Sequence, residues 1–258
     1  MKIKSSLMLG GMLVALSAIA LADDSLTLTG ANPGLVSMGG VYTSPYVGTI
    51  TGVGSGINII CDDFTDEVYL GETWNVIPTN FAQMSTTGTA NQSVLWDTGA
   101  TALTQAQGYL TVAILASQLL SINSSSTQAE DLSFAIWDVF NPGSSTGLGD
   151  SNNINNLLLA AQSTATTDLS TAGQSIQSAL SAVNISNMTI YTADPKGTVN
   201  GVSPAVTSCP AGTCGQPQEF VTVSMPEPSS WGLLTVDLAA VLGIVLFFRR
   251  RSAPNPSR

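Results

Sequence analysis

The sequence predicts an α+β fold: β-strands at both ends of an exported body around a central helical region, followed by one C-terminal transmembrane helix. Three observations lead there. Short strand-like runs, some alternating, recur within 24–80 and again at 188–192 and 220–225. Stripes of helical period fill the stretch between, from 102 to 183. An apolar run of 18 residues, 231–248, then precedes three arginines.

The elements follow in chain order. Lys2 and Lys4 stand before an apolar stretch at 7–21, and Ala20-Leu21-Ala22 is a small-x-small cleavage signature. Residues 1–22 therefore read as a signal peptide, and the mature chain should begin at Asp23. Residues 25–29 alternate. Gly, Pro and Asn then punctuate 30–56 into short strands and turns. Residues 57–61 and 68–70 look like inner strands, and Gly71-Glu72 is expected to turn the second into a hairpin with 73–77. Residues 82–93 are polar and read as a loop.

The middle is helical. Leu103, Ala106, Leu110, Ala113, Ile114 and Leu120 recur at three and four, which predicts a buried helix over 102–122. Thr127 and Glu130 have capping-box spacing at the start of a second helix. Its stripe is Leu132, Ala135, Ile136, Val139 and Phe140, and Asn141-Pro142-Gly143 should stop it. A third helix is expected over 151–183, broken near 166–168 or at Gly173. Strands return at 188–192 and 220–225, and the terminal strands are candidates to pair. The extracytoplasmic domain is thus 23–225.

Composition narrows the chemistry. Residues 23–228 carry sixteen acids and a single base, Lys196, a net charge of −15. Repulsion makes nucleic acid and anionic lipid poor partners for this body, and no nucleic-acid partner is expected. The chain has no histidine, which removes Ser-His-Asp triads, Cys-His dyads and His-ligated metals. No catalytic residue is assigned and no cofactor is required, so the body reads as non-enzymatic. Asp62, Asp63 and Asp66 are candidate oxygen ligands for Ca²⁺, although the spacing fits no EF-hand and the default is turn-forming, solvated acids. Cys209 and Cys214 suit a small disulfide loop, which leaves Cys61 as a buried thiol. A pairing of Cys61 with either of them stays open.

The tail has three parts in order: Pro226-Glu227-Pro228, the apolar run 231–248, and Arg249, Arg250 and Arg251. As a helix the run would be about 27 Å long, close to the hydrocarbon core of a bilayer. The arginines would stay cytoplasmic, with 252–258 as a short tail behind them. This order resembles the PEP-CTERM sorting signal, here spanning 226–251. The resemblance implies an exosortase-type membrane transpeptidase as partner, with recognition at Pro226, Glu227 and Pro228 and processing nearby. It further implies release to the cell surface or its exopolysaccharide. Asp237 within the run and the residues after Arg251 depart from the family pattern.

A fainter resemblance runs through Cys61-Asp62-Asp63-Phe64, Gly71-Glu72-Thr73-Trp74 and Ala135-Ile136-Trp137. It is similar to bacterial thioester adhesin domains, in which a cysteine is linked to a glutamine two residues before the Ala-Ile-Trp element. Ser133 stands at that position and cannot supply the acyl group. The expected function is an exported protein of the cell surface or extracellular matrix, tethered to the membrane or processed. The alternatives are a permanently anchored carbohydrate- or Ca²⁺-binding module and a carboxylate-dependent glycan hydrolase.

Overall fold

Alternating apolar residues become strands that close on themselves. The computed structural model describes residues 24–31, 37–38, 41–43, 45–66, 68–96, 101–123, 126–170, 175–196, 198–200, 209–210 and 217–225. The strands before the helical region are β1 (Ser25–Ala31), β2 (Ser37–Met38), β3 (Val41–Tyr42), β4 (Tyr46–Ile50), β5 (Gly54–Cys61) and β6 (Thr73–Asn80). The helices are α1 (Ala102–Ser121), α2 (Thr127–Phe140), α3 (Ser151–Ser170) and α4 (Ile176–Ala182). The strands after them are β7 (Asn187–Ala193), β8 (Thr198–Asn200), β9 (Cys209–Pro210) and β10 (Phe220–Ser224).

Six strands run in the order β1-β4-β5-β10-β7-β6, all antiparallel, and β6 returns to β1 through Leu26 opposite Trp74. The result is a closed barrel, which leaves these six strands without a free edge. β8 extends β6 beyond the closure and β9 follows β8, while β2 and β3 form a separate hairpin. Rings from strands that are not neighbours meet in the interior. Phe220 of β10 lies 5.8 Å from Trp74 of β6 and 5.9 Å from Tyr46 of β4, between centroids. Gly48 lets β4 approach: a Cβ there would stand 2.9 Å from Ile59 Cδ1.

The helices form one insertion between β6 and β7. α1 is buried almost all round, through Tyr109, Leu110, Val112, Ala113, Leu115 and Ala116, as expected of a helix with apolar residues on every face. It packs on α2, α3 and α4 and touches β10. Thr101 caps it: its Oγ1 accepts from Thr104 N at 3.3 Å, and Thr104 Oγ1 accepts from Thr101 N at 2.9 Å. α3 buries a narrow stripe of Ile154, Ala161, Ala165 and Leu169.

The expected fold class is corrected. The strands at the two ends do not form an open sheet beside the helices. They interleave, with β5 against β10 and β6 against β7, and close a barrel. The outermost strands, β1 and β10, do not pair with each other. The hairpin expected between 68–70 and 73–77 is absent: 68–70 is irregular, and β6 pairs instead with β1, β7 and β8. The cap of α2 is Ser126, whose Oγ accepts from Ala129 N at 3.2 Å, one residue before the expected Thr127. The transmembrane helix expected at 231–248 lies outside the described residues. Among the described residues, no helix is long and apolar enough to cross a membrane.

Candidate functional site

β5 ends at Cys61, and the chain leaves the barrel through Asp62, Asp63 and Asp66. Opposite Cys61, across the ladder, β10 begins at Phe220, so Glu219 and Gln218 come in beside the acids. The backbone joins them: Asp62 N donates to Glu219 O at 3.4 Å. Gln218 Nε2 donates to Asp63 O at 2.9 Å. Two carboxyl pairs result, and they differ in environment.

The inner pair is Asp62 and Glu219, both fully buried. Glu219 is a hub. Its Oε1 accepts from Tyr109 Oη at 2.5 Å, and its Oε2 accepts from Leu95 N at 2.9 Å and from Thr192 Oγ1. It thereby ties α1, β7 and the 95–96 segment to β10. Neither carboxyl oxygen of Asp62 has a hydrogen-bonding partner of normal geometry among protein atoms. Burial, then the Glu219 charge, then Asp63, hold the Asp62 carboxyl well above the usual carboxylate range. Burial also raises Glu219, against the pull of its three donors, Thr192, Tyr109 and Leu95. Both shifts have one direction, because two charged carboxylates side by side in the interior are strongly unfavourable and the pair favours holding a proton.

The outer pair is Asp63 and Asp66. Asp63 Oδ1 accepts from Thr65 N at 2.8 Å and Thr65 Oγ1 at 2.7 Å, an Asx turn that fixes the loop. Burial first, then the charge and hydrogen bond of Asp63, raise Asp66 to about 6. Asp66 lines a cavity of about 620 Å³. Its floor includes the buried side chains of Leu28, Tyr46 and Trp137, and its wall Phe64 and Val68. At the rim, Tyr42 is 51% exposed, Tyr69 48% and Leu70 44%. Gln218 completes the lining. Contiguous exposed apolar surface around a concave space is the usual form of a binding site.

The structure sorts the candidate residues from the sequence. Asp62, Asp63 and Asp66 are adjacent but do not converge on one point. Asp62 faces the interior with Glu219, and only Asp66 lines the cavity. Among the described residues, no group of three or more Cys, Asp or Glu is placed to hold a metal ion. Cys61 is buried, and its thiol donates to Asp63 O at 2.9 Å. Burial first, then the charges of Asp63 and Asp62, push the thiol well above its usual range, so it is neutral and a poor nucleophile. Ser133 is buried, with Oγ donating to Ala129 O at 3.0 Å. Cys209 sits in β9, whereas Cys214, Pro226, Glu227, Pro228, Arg249, Arg250 and Arg251 lie outside the described residues.

Sequence reading missed Glu219 and the tyrosines. Glu219 carried one signal, a lone acid directly before the apolar strand that opens at Phe220. Tyr42, Tyr46 and Tyr69 carried none, because the loops that bring them together are not periodic. Trp137, expected in the core, is buried and also part of the cavity floor. Comparison with protein-family models, curated proteins and solved structures finds no match for this chain.

Proposed function

We propose that this chain is an exported, tail-sorted surface protein without catalytic activity of its own, whose barrel displays a ligand cavity away from its tethered end. The observation that carries the reading is the direction of β10. Gln218, just before the strand, lines the cavity, and Met225, just after it, leads into Pro226. The five strand residues between them span about 17 Å, so Met225 stands at the barrel end opposite the cavity. A chain held through 226–251 would turn its aromatic cavity outward. Asp62 and Asp63 are fully buried, beyond the reach of a substrate, which favours a displayed binding body over a carboxylate-dependent hydrolase.

In this reading the apolar run 231–248 and Arg249, Arg250 and Arg251 hold the chain in the membrane until an exosortase-type enzyme acts at Pro226, Glu227 and Pro228. The two prolines keep that triplet extended, where a membrane enzyme can grip it. The test is the mass of the mature protein and of Glu227→Ala. The expected result is loss of 1–22 and of the tail in the wild type, with the variant exported but still carrying its tail. Normal tail removal from the variant would defeat the sorting reading.

A further inference from the structure

We propose that the cavity beside Asp66 binds a small organic cation of the quaternary-ammonium class. The inference rests on the display reading only in taking the cavity to be a ligand site. Three observations set the ligand class. Five aromatic side chains line the cavity: Tyr42, Tyr46, Phe64, Tyr69 and Trp137. Among the described residues, Asp66 is the one charged group in its lining, and no base lines it. Two of its polar groups already have partners within the protein. Tyr46 Oη donates to Tyr42 O at 2.6 Å, and Gln218 Nε2 donates to Asp63 O at 2.9 Å.

Each observation removes a competing class. An anion would meet Asp66 and a body of net charge −15, with no cation to receive it. A sugar needs a dense set of convergent donors and acceptors, whereas this lining carries Leu28 on the floor, Val68 on the wall and Leu70 at the rim, and two of its polar groups are bonded within the protein. A purely apolar ligand would leave the Asp66 carboxylate desolvated without a partner, which is unfavourable. A quaternary ammonium ion fits all three conditions. It presents a methyl surface to apolar walls, its charge is attracted by aromatic rings, and it needs no hydrogen-bond donors from the protein. Asp66 then supplies the counter-charge. The surrounding negative field raises the local concentration of such a cation at the mouth.

The test is titration of the full chain with choline and with 3,3-dimethylbutan-1-ol, its uncharged isostere, followed by calorimetry and by the fluorescence of the tryptophans. Cellobiose is the third probe. Choline is expected to bind about tenfold or more tightly than the isostere, the scale of one partly desolvated cation–aromatic or charge contact. Asp66→Asn should abolish that preference while leaving the isostere unchanged. Tyr42→Leu, at the exposed rim, should reduce it in part. Melting temperatures in both variants no lower than that of the wild type would show that the fold is intact. Equal binding of choline and the isostere, preference for cellobiose, or full choline affinity in Asp66→Asn would each overturn the proposal while leaving the cavity a ligand site. Failure of all three probes to bind would overturn it together with the ligand-display reading, and the tail's processing would still be judged separately by mass.

Discussion

Asp62 is a carboxyl group enclosed by the fold, with Glu219 beside it and no donor on either oxygen. Its raised pKa makes pH dependence the consequence to measure. The native state keeps a proton that the unfolded chain releases near pH 4. The native state thus binds more protons than the unfolded state between the unfolded and folded pKa values, and stability falls as pH rises through that window. Glu219 and Asp66, both raised, act in the same direction. The melting temperature should therefore be higher near about pH 5 than near about pH 8, the reverse of an ordinary salt-bridged carboxylate protein. Asp62→Asn should flatten part of this slope and stabilise the protein at the alkaline end. The gain is about 1.4 kcal/mol for each unit by which the Asp62 pKa is raised, or about 2–4 °C per kcal/mol for a chain of this size. Scanning calorimetry of both proteins across that range decides it. A steeper slope in the variant would show that the Asp62 proton is not the linked one.

The helices were legible in the sequence because burial there is periodic and local. Leu110, Ala113 and Ile114 repeat at helical spacing, and α1 lies within one residue of its expected bounds. Asn141-Pro142-Gly143 ended α2 as its chemistry requires, with Gly143 at φ +86°. The capping position was less legible, since Ser126 and Thr127 are both good caps and only the backbone decides between them. The strands were legible as type and not as partner. Residues 68–70 have the apolar character of a strand, yet Glu72 Oε2 accepts from Tyr69 N at 2.9 Å and Gly71 N donates to Leu28 O, which bends the segment into the cavity wall. Between helices, one contact makes a sharp test. Gly108 on α1 is pressed by the ring of Phe140 at the end of α2, and an added Cβ would stand 2.5 Å from Phe140 Cε1. That ring is itself stacked on Trp96 at 5.1 Å and packed on Tyr109 at 4.8 Å, so it cannot swing aside freely. Glycine to alanine within a helix normally stabilises by about 0.5–1 kcal/mol. Here Gly108→Ala should instead destabilise by about 1–3 kcal/mol, the range for overpacking, as read from urea denaturation. A stabilised variant would mean that the α1–α2 seam yields.

At the scale of the whole molecule, closure is what the sequence hides. Which strand lies next to which is set by long-range register, across an insertion of four helices, and no local pattern encodes it. Closure also sets the cavity and Met225 at opposite ends of one strand, β10. If the chain is held at a cell surface through 226–251, as proposed, its orientation follows from the barrel and can be measured on intact cells. The Glu227→Ala protein, expected to retain its tail, is the form to use. A cysteine placed at Leu70, exposed on the cavity rim, should react with a bulky, membrane-impermeant maleimide added to cells whose outer layers admit the reagent. A cysteine at Met225, exposed but at the tail end, should react much more slowly, since the bilayer would stand directly beneath it. The chain without an introduced cysteine, carrying the native Cys61, Cys209 and Cys214, gives the background to subtract. After detergent solubilisation the two sites should react alike. If Met225→Cys is the faster site on intact cells, the cavity faces inward, and a barrel that captures a ligand from outside the cell is the wrong picture of this protein.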